Sequence, residues 1–287
     1  MMKRTLGTTG ISVNALGFGA WQLSNVNRPD QRQAIEVIAA GLDSGAELID
    51  TADCYCSGEN EFGHNESLVN TALTQLGRKS DITIATKCGL QGPPNHWVPA
   101  GRPERIKRCC DESLERLGLE SITLYQLHGP DPNVPIEDTI GAMAELQAAG
   151  KVQHIGVSNV DSTQLDRALS VARIESVQNR CNPWARADLD SGLLKRCAEL
   201  GITYIPWHPV GGEEGHHACA SNTTLRALAE KYEASPYQLL IAWLLAQGDH
   251  VLPIPGATRI SSVVDSLKAD RLTLGEADVA TIGALGH

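Results

Sequence analysis

Leu48-Ile49-Asp50-Thr51-Ala52-Asp53-Cys54-Tyr55 begins as a short apolar run and ends among polar side chains. Two later stretches do the same: residues 82–86 lead into Lys87, and residues 122–127 lead into His128. Short apolar runs bounded this way read as strands buried on both faces. Polar groups gathered at the carboxyl ends of parallel strands are where (β/α) barrels keep their chemistry. Asp50, Tyr55, Lys87 and His128 are therefore the candidate catalytic residues.

Strand-like and helix-like segments alternate along the rest of the chain, which argues for α/β architecture with a parallel sheet. The strand candidates are residues 15–20, 47–51, 82–87, 122–128, 154–159, 176–180, 203–208 and 251–255. Eight strands close a (β/α)8 barrel, and 287 residues exceed the roughly 250 that such a barrel needs. Between the strands, Ile35, Ile38 and Leu42 share a helical face, as do Ile106, Cys110 and Leu117. Asp161 and Asn222 stand where helix N-caps are expected. Residues 3–13 read as a hairpin that turns at Thr8-Thr9-Gly10 and closes the barrel floor. Residues 235–247 add a helix before the last strand, and another helix follows Gly275. With no linker and no break in composition, residues 1–287 are expected to form one domain.

Hydrophobic residues make up 42% of the chain and aromatics only 4%, so the core rests on Leu, Ile, Val and Ala. The net charge of -10 argues against nucleic acid or an anionic membrane as partner, since both need basic patches. The longest apolar run, residues 239–246, is far short of the ~20 residues of a membrane span. The N-terminus carries no secretory pattern. The eight cysteines lack the spacing of a small secreted framework and read as reduced thiols of a cytoplasmic protein. Nothing in the pattern demands a partner chain, so a monomer or small homo-oligomer is expected.

The four candidate residues suit proton transfer to a carbonyl oxygen. A tyrosine has a pKa near ~10 and releases its proton more readily beside a cation. Lys87 can supply that cation, and Asp50 can hold the lysine charged. His128 can hydrogen-bond the substrate oxygen. A positioned acid of this kind contributes roughly 10²–10⁴-fold in rate.

These residues resemble the Asp/Tyr/Lys/His tetrad of the aldo-keto reductases. The resemblance runs through the whole chain. Gly17-Phe18-Gly19-Ala20-Trp21 is similar to the family's first strand, and Gly150-Lys151-Val152-Gln153-His154-Ile155-Gly156-Val157-Ser158-Asn159 is similar to its fifth-strand motif. The family implies a (β/α)8 barrel that uses NADPH, or less often NADH, to reduce aldehydes and ketones, usually without metal or flavin. Tyr55 would be the general acid, tuned by Lys87 and Asp50, with His128 positioning the carbonyl. Ser158, Asn159 and Gln178 would hold the nicotinamide carboxamide, and Trp207 would stack on its ring. His208 and Pro209 would follow along the cofactor. Gly256, Arg259 and Asp265 would lie at its adenosine end, Arg259 being the cation for a 2′-phosphate. The chain departs from the family at Cys56, where Gly is common, and at His208, where a small residue is usual. Gly256 and Ser262 stand where many members carry Lys and Arg.

Trp21 and Trp97 are expected to line the substrate pocket. Glu213, Glu214, His216, His217 and Cys219 are metal-friendly in type but lack regular ligand spacing, so the segment reads as a Gly-rich loop over the cofactor rather than a metal site. Residues 178–212 resemble a bacterial subgroup that includes pyridoxal reductases, which makes pyridoxal a candidate substrate. An aldose dehydrogenase running oxidatively is the alternative among enzymes, and a non-catalytic cofactor-binding subunit the alternative outside them.

Overall fold

The computed structural model describes residues 2–286 apart from Glu59, Pro94 and Asn95, together with the backbone but not the side chains of Glu213, Glu214 and Ala220. Seven parallel strands follow one another round a curled sheet. They are β1 (Phe18–Gly19), β2 (Leu48–Asp50), β3 (Thr83–Cys88), β4 (Ile122–Leu127), β5 (Val152–Ser158), β6 (Ser176–Gln178) and β7 (Thr203–Tyr204). Their spatial order is their chain order, as right-handed βα crossovers require.

The eighth position is filled by residues 250–255, which form only an isolated bridge from Val251 to Tyr204. On the other side, Gly17 N–H donates to the Pro253 carbonyl at 3.0 Å and Gly19 N–H to the Pro255 carbonyl at 3.1 Å. Pro253 and Pro255 have no N–H to return, so the seam is bonded in one direction and the expected eighth strand is irregular. Gly19 is required there: a Cβ would lie 2.8 Å from the Ile254 carbonyl oxygen. The architecture is the expected (β/α)8 barrel, closed at this seam.

Strand alternation sorts the barrel interior into layers. Leu48, Ala85 and Leu124 form an apolar lower layer with Leu252 and Ile254. Two residues on in β2, β3 and β4, Asp50, Lys87 and Gln126 form a polar layer above it, all nearly inaccessible to solvent. The N-terminal hairpin pairs Lys3–Thr5 with Ser12–Asn14 and sends Leu6 and Val13 into the lower layer, so it plugs the floor as expected.

The helices form the outer ring. Asp161 caps the helix Ser162–Leu169 through a reciprocal capping box with Gln164, and Asn222 caps Thr223–Tyr232 by accepting from Leu225 N–H at 2.9 Å. Each such cap contributes about 1 kcal/mol. The additional helices are Pro236–Leu245 and Glu276–Gly283. A short ribbon, Leu90–Gln91 with Val98–Pro99, was not legible in the sequence and carries Trp97 between its strands. The segment expected to be a loop after β7 is a helix, Gly212–Ser221. Among the described residues, no group of three or more His, Cys, Asp or Glu is arranged to hold a metal ion. Glu213 and Glu214 fall outside the described side chains. No described helix is long and apolar enough to cross a membrane. All eight cysteines are buried free thiols.

Candidate active site

Lys87 is fully buried, and its ammonium group has three acceptors: Asp50 Oδ1 at 2.6 Å, the Thr51 carbonyl at 2.8 Å and Tyr55 Oη at 3.0 Å. A buried ammonium stays charged only when paired in this way. Burial opposes the charge, but Asp50 and Tyr55 outweigh it and hold the Lys87 pKa above its ordinary value. Asp50 spends its second oxygen on Gln178 Nε2 at 2.8 Å and Gln126 Nε2 at 3.3 Å.

Tyr55 follows β2 on a loop tied down at both ends. The Asp53 N–H donates to the Lys87 carbonyl, and the Tyr55 carbonyl accepts from Asn65 N–H. Tyr55 is 8% exposed. Burial pushes its pKa above the ordinary value, against the pull of Lys87. The residues alone suggested a net lowering; desolvation reverses the sign. Tyr55 is thus protonated at rest, with an ammonium 3.0 Å from its oxygen.

His128 packs its ring at right angles to Tyr55, centroids 5.5 Å apart. Burial, and then the charge of Lys87, hold its pKa well below the ordinary value, so the imidazole is neutral. Its Nδ1 lies 3.5 Å from Cys54 Sγ. Trp97 stands 6.0 Å from the Tyr55 ring, and Trp21 also packs on the cluster around Tyr55. The two tryptophans and His128 thus pack aromatic surface around Tyr55.

Beyond this centre, pairing of β5 with β6 sets Ser158 beside Gln178. Ser158 Oγ donates to the Gln178 carbonyl at 2.6 Å. Asn159 adopts the left-handed region at φ 56, and its Nδ2 donates to the His128 carbonyl at 2.8 Å. Trp207 Nε1 donates to Asn159 Oδ1 at 3.2 Å, which sets the indole's angle. His208, also left-handed at φ 51, wedges its ring between Trp21 at 5.5 Å and Trp207 at 4.7 Å. Burial and the nearby Arg180 lower the His208 pKa to about 4. Pro209 is buried behind it.

The residues expected at the adenosine end make other contacts. A Cβ on Gly256 would meet Gln22 Oε1 at 1.9 Å and the Gly19 carbonyl oxygen at 2.6 Å, so the lysine common at this position has no room unless both Gln22 and the Gly19 backbone move. Arg259 is exposed at the start of the helix Ile260–Leu267, and among the described residues nothing hydrogen-bonds or pairs with its side chain. Asp265 is engaged within the fold, accepting from Ser235 Oγ at 2.5 Å and Gln238 Nε2 at 2.7 Å.

Residues 15–286 match the family model described as Aldo/keto reductase family. The chain belongs to the aldo-keto reductase family. Relatives of this aldo-keto reductase include the pyridoxine 4-dehydrogenase of Escherichia coli K12, 34% identical with 99% of this chain and 98% of the relative covered. A probable aldo-keto reductase 1 of Glycine max is 36% identical, with 96% and 86% covered. Among solved structures, a thermostable aldo-keto reductase crystallised with the inhibitor epalrestat superposes with TM-score 0.84 at 31% identity, over the full length of both chains.

Sequence reasoning missed three contributors to this aldo-keto reductase centre. Gln126 was visible in principle, since it precedes His128 by two and so shares its side of β4. Glu66, fully buried, accepts from Thr86 Oγ1 at 2.6 Å and Arg116 Nε at 2.6 Å, bracing the strand that carries Lys87. Cys54 is the third; its contact with His128 depends on tertiary approach that no local pattern encodes.

Proposed function

We propose that this chain reduces an aldehyde or ketone to an alcohol, using NADPH as hydride source and Tyr55 as proton donor. One observation carries the reading: the buried Lys87 ammonium bonds both Asp50 and Tyr55 Oη. Burial keeps Tyr55 protonated before reaction, and the Lys87 ammonium stabilises its anion afterwards. As hydride reaches the carbonyl carbon, charge grows on the oxygen, and hydrogen bonds from Tyr55 and His128 strengthen with it. His128 is neutral, so it orients the oxygen without competing as an acid. Trp21 and Trp97 would flank a ring-bearing substrate.

The residues fit a nicotinamide cofactor, which when bound would supply the hydride. Gln178 is 2% exposed, and its Oε1 has no hydrogen-bond partner among the described residues. That oxygen is not sealed from solvent, so it is open to accept from a carboxamide N–H. Ser158 and Asn159 adjoin it. Trp207, half-buried and held by Asn159, offers an indole face for stacking, with His208 and Pro209 alongside. Arg259, together with the backbone around Gly256, would meet the phosphate-bearing end against an overall negative chain. Asp265 would act there by holding the helix Pro236–Leu245 in place.

Pyridoxal is the first candidate substrate, supported by the name of the Escherichia coli relative. That name also describes the oxidative direction, so rates should be compared both ways at fixed pH. The test of the reading is Tyr55→Phe. Turnover of an aldehyde panel should fall by at least a hundredfold, about the contribution of one positioned acid, while NADPH still quenches tryptophan fluorescence with unchanged affinity. Normal turnover by the variant would overturn the assignment of Tyr55.

A further inference from the structure

Two thiols flank Tyr55, and each makes a specific contact. Cys56 Sγ donates to the Cys54 carbonyl at 3.4 Å, and Cys54 Sγ lies 3.5 Å from His128 Nδ1. Cys54 is fully buried and Cys56 is 3% exposed. The backbone of His128 is held on both sides: its N–H donates to the Cys88 carbonyl at 2.7 Å, and its carbonyl accepts from Asn159. That leaves the ring's orientation and its proton to be decided. Among the described residues, Cys54 is the sole hydrogen-bond partner of the ring.

We propose that Cys54 is a positioning residue whose S–H donates to His128 Nδ1 and so places the imidazole proton on Nε2. A neutral imidazole has one N–H and one bare nitrogen, and the hydrogen bond at one determines the role of the other. With Nδ1 accepting from the thiol, Nε2 is the donor left for a substrate oxygen. The opposite tautomer would turn a lone pair toward an oxygen gaining negative charge. It would also aim Nδ1–H at sulfur, which is a weak acceptor. Burial pushes the Cys54 thiol well above its ordinary pKa, so the proton stays on sulfur and available. The Cys56 contact steadies the Cys54 backbone, which gives a physical account of a cysteine where the family commonly has Gly.

This inference rests on reading His128 as the group that orients the carbonyl, but its first test needs no turnover. The full-length protein is labelled with 15N-histidine, and the His128 resonances are identified by their loss in His128→Gln. In wild type, the shifts should show Nε2 protonated and Nδ1 bare. Cys54→Ser, which keeps a donor, should retain that pattern and at least half of the turnover. Cys54→Ala should move the shifts toward a tautomer mixture and lower kcat roughly fivefold, the loss expected for one modest hydrogen bond, with cofactor affinity unchanged. A wild-type spectrum with the proton on Nδ1 overturns the proposal, even if Cys54→Ala does not fold. So does a folded Cys54→Ala with wild-type shifts and kcat. A protein without turnover but with the expected shifts keeps the Cys54 contact and sinks the reductase reading instead.

Discussion

Gln178 Nε2 and Asp50 Oδ2, on strands far apart in the chain, are joined inside the barrel by a hydrogen bond of 2.8 Å. The residue proposed to hold the cofactor therefore also braces the residue proposed to hold Lys87. Gln178→Leu should damage both tasks. We expect cofactor affinity to weaken and kcat to fall about tenfold, with roughly 1–3 kcal/mol of stability lost because Asp50 loses a buried donor. Steady-state kinetics and urea denaturation on one preparation would check this. A variant weaker in cofactor binding but normal in kcat would show that the bond carries no catalytic coupling.

Lys87→Met should abolish turnover and also destabilise the fold, because it leaves the Asp50 carboxylate buried without its cation. Breaking one side of a buried pair costs about 3–5 kcal/mol. The double variant Asp50→Asn with Lys87→Met should be more stable than Lys87→Met alone, since it removes the stranded charge. If denaturation midpoints rank the double variant lowest, the pair is not what dominates this stability.

Two buried groups should tilt stability in opposite directions as pH changes. Burial holds His208 near about 4 when folded, whereas the unfolded side chain titrates near about 6.5. The unfolded state therefore binds more protons in that window, and stability is lost as pH falls from about 6.5 toward 4. His208→Gln should flatten this slope. Asp53 behaves oppositely. It is fully buried with neither oxygen hydrogen-bonded to nitrogen or oxygen, and burial, then Glu66, raise its pKa well above normal. The folded state keeps a proton that the unfolded state releases near about 4, so stability falls as pH rises above that value. Asp53→Asn should have a higher midpoint than wild type at pH 7, the difference shrinking toward pH 4. Midpoints measured across pH 4–8 would check both variants.

Arg259 has no partner within the described protein, so its removal should cost little stability. If it reads a 2′-phosphate, Arg259→Ala should weaken NADPH binding at least tenfold, about the worth of one charged hydrogen bond, and leave NADH binding unchanged. Parallel fluorescence titrations with the two cofactors would decide it. Equal weakening for both would place the contact elsewhere on the cofactor.

The barrel could be read from the chain because its strands are short apolar runs that end in polar residues, and the meeting of Asp50, Tyr55, Lys87 and His128 because they sit at those ends. Asp50, Lys87 and Gln126 project into the barrel for the same period-two reason that Leu48, Ala85 and Leu124 fill its floor. What could not be read depends on non-local approach. The eighth strand looked regular as residues 251–255, but its two prolines allow bonding in one direction only. The helix Gly212–Ser221 was hidden by its glycines, which suggested a loop. The direction of the Tyr55 shift turned on burial, which a single sequence does not display, and Cys54 meets His128 only because two strand-end loops converge.

The one-directional seam has a consequence for how the chain is made. The four candidate catalytic side chains all lie within the first 128 residues, yet the carbonyls that Gly17 and Gly19 bond belong to residues 253 and 255. Domains fold as they emerge, amino end first, so the growing chain carries all four candidate residues on a sheet whose first edge stays open until residues 253 and 255 arrive. An open edge pairs readily with other chains. Truncation before residue 253 would therefore yield not a weaker enzyme but an adhesive one.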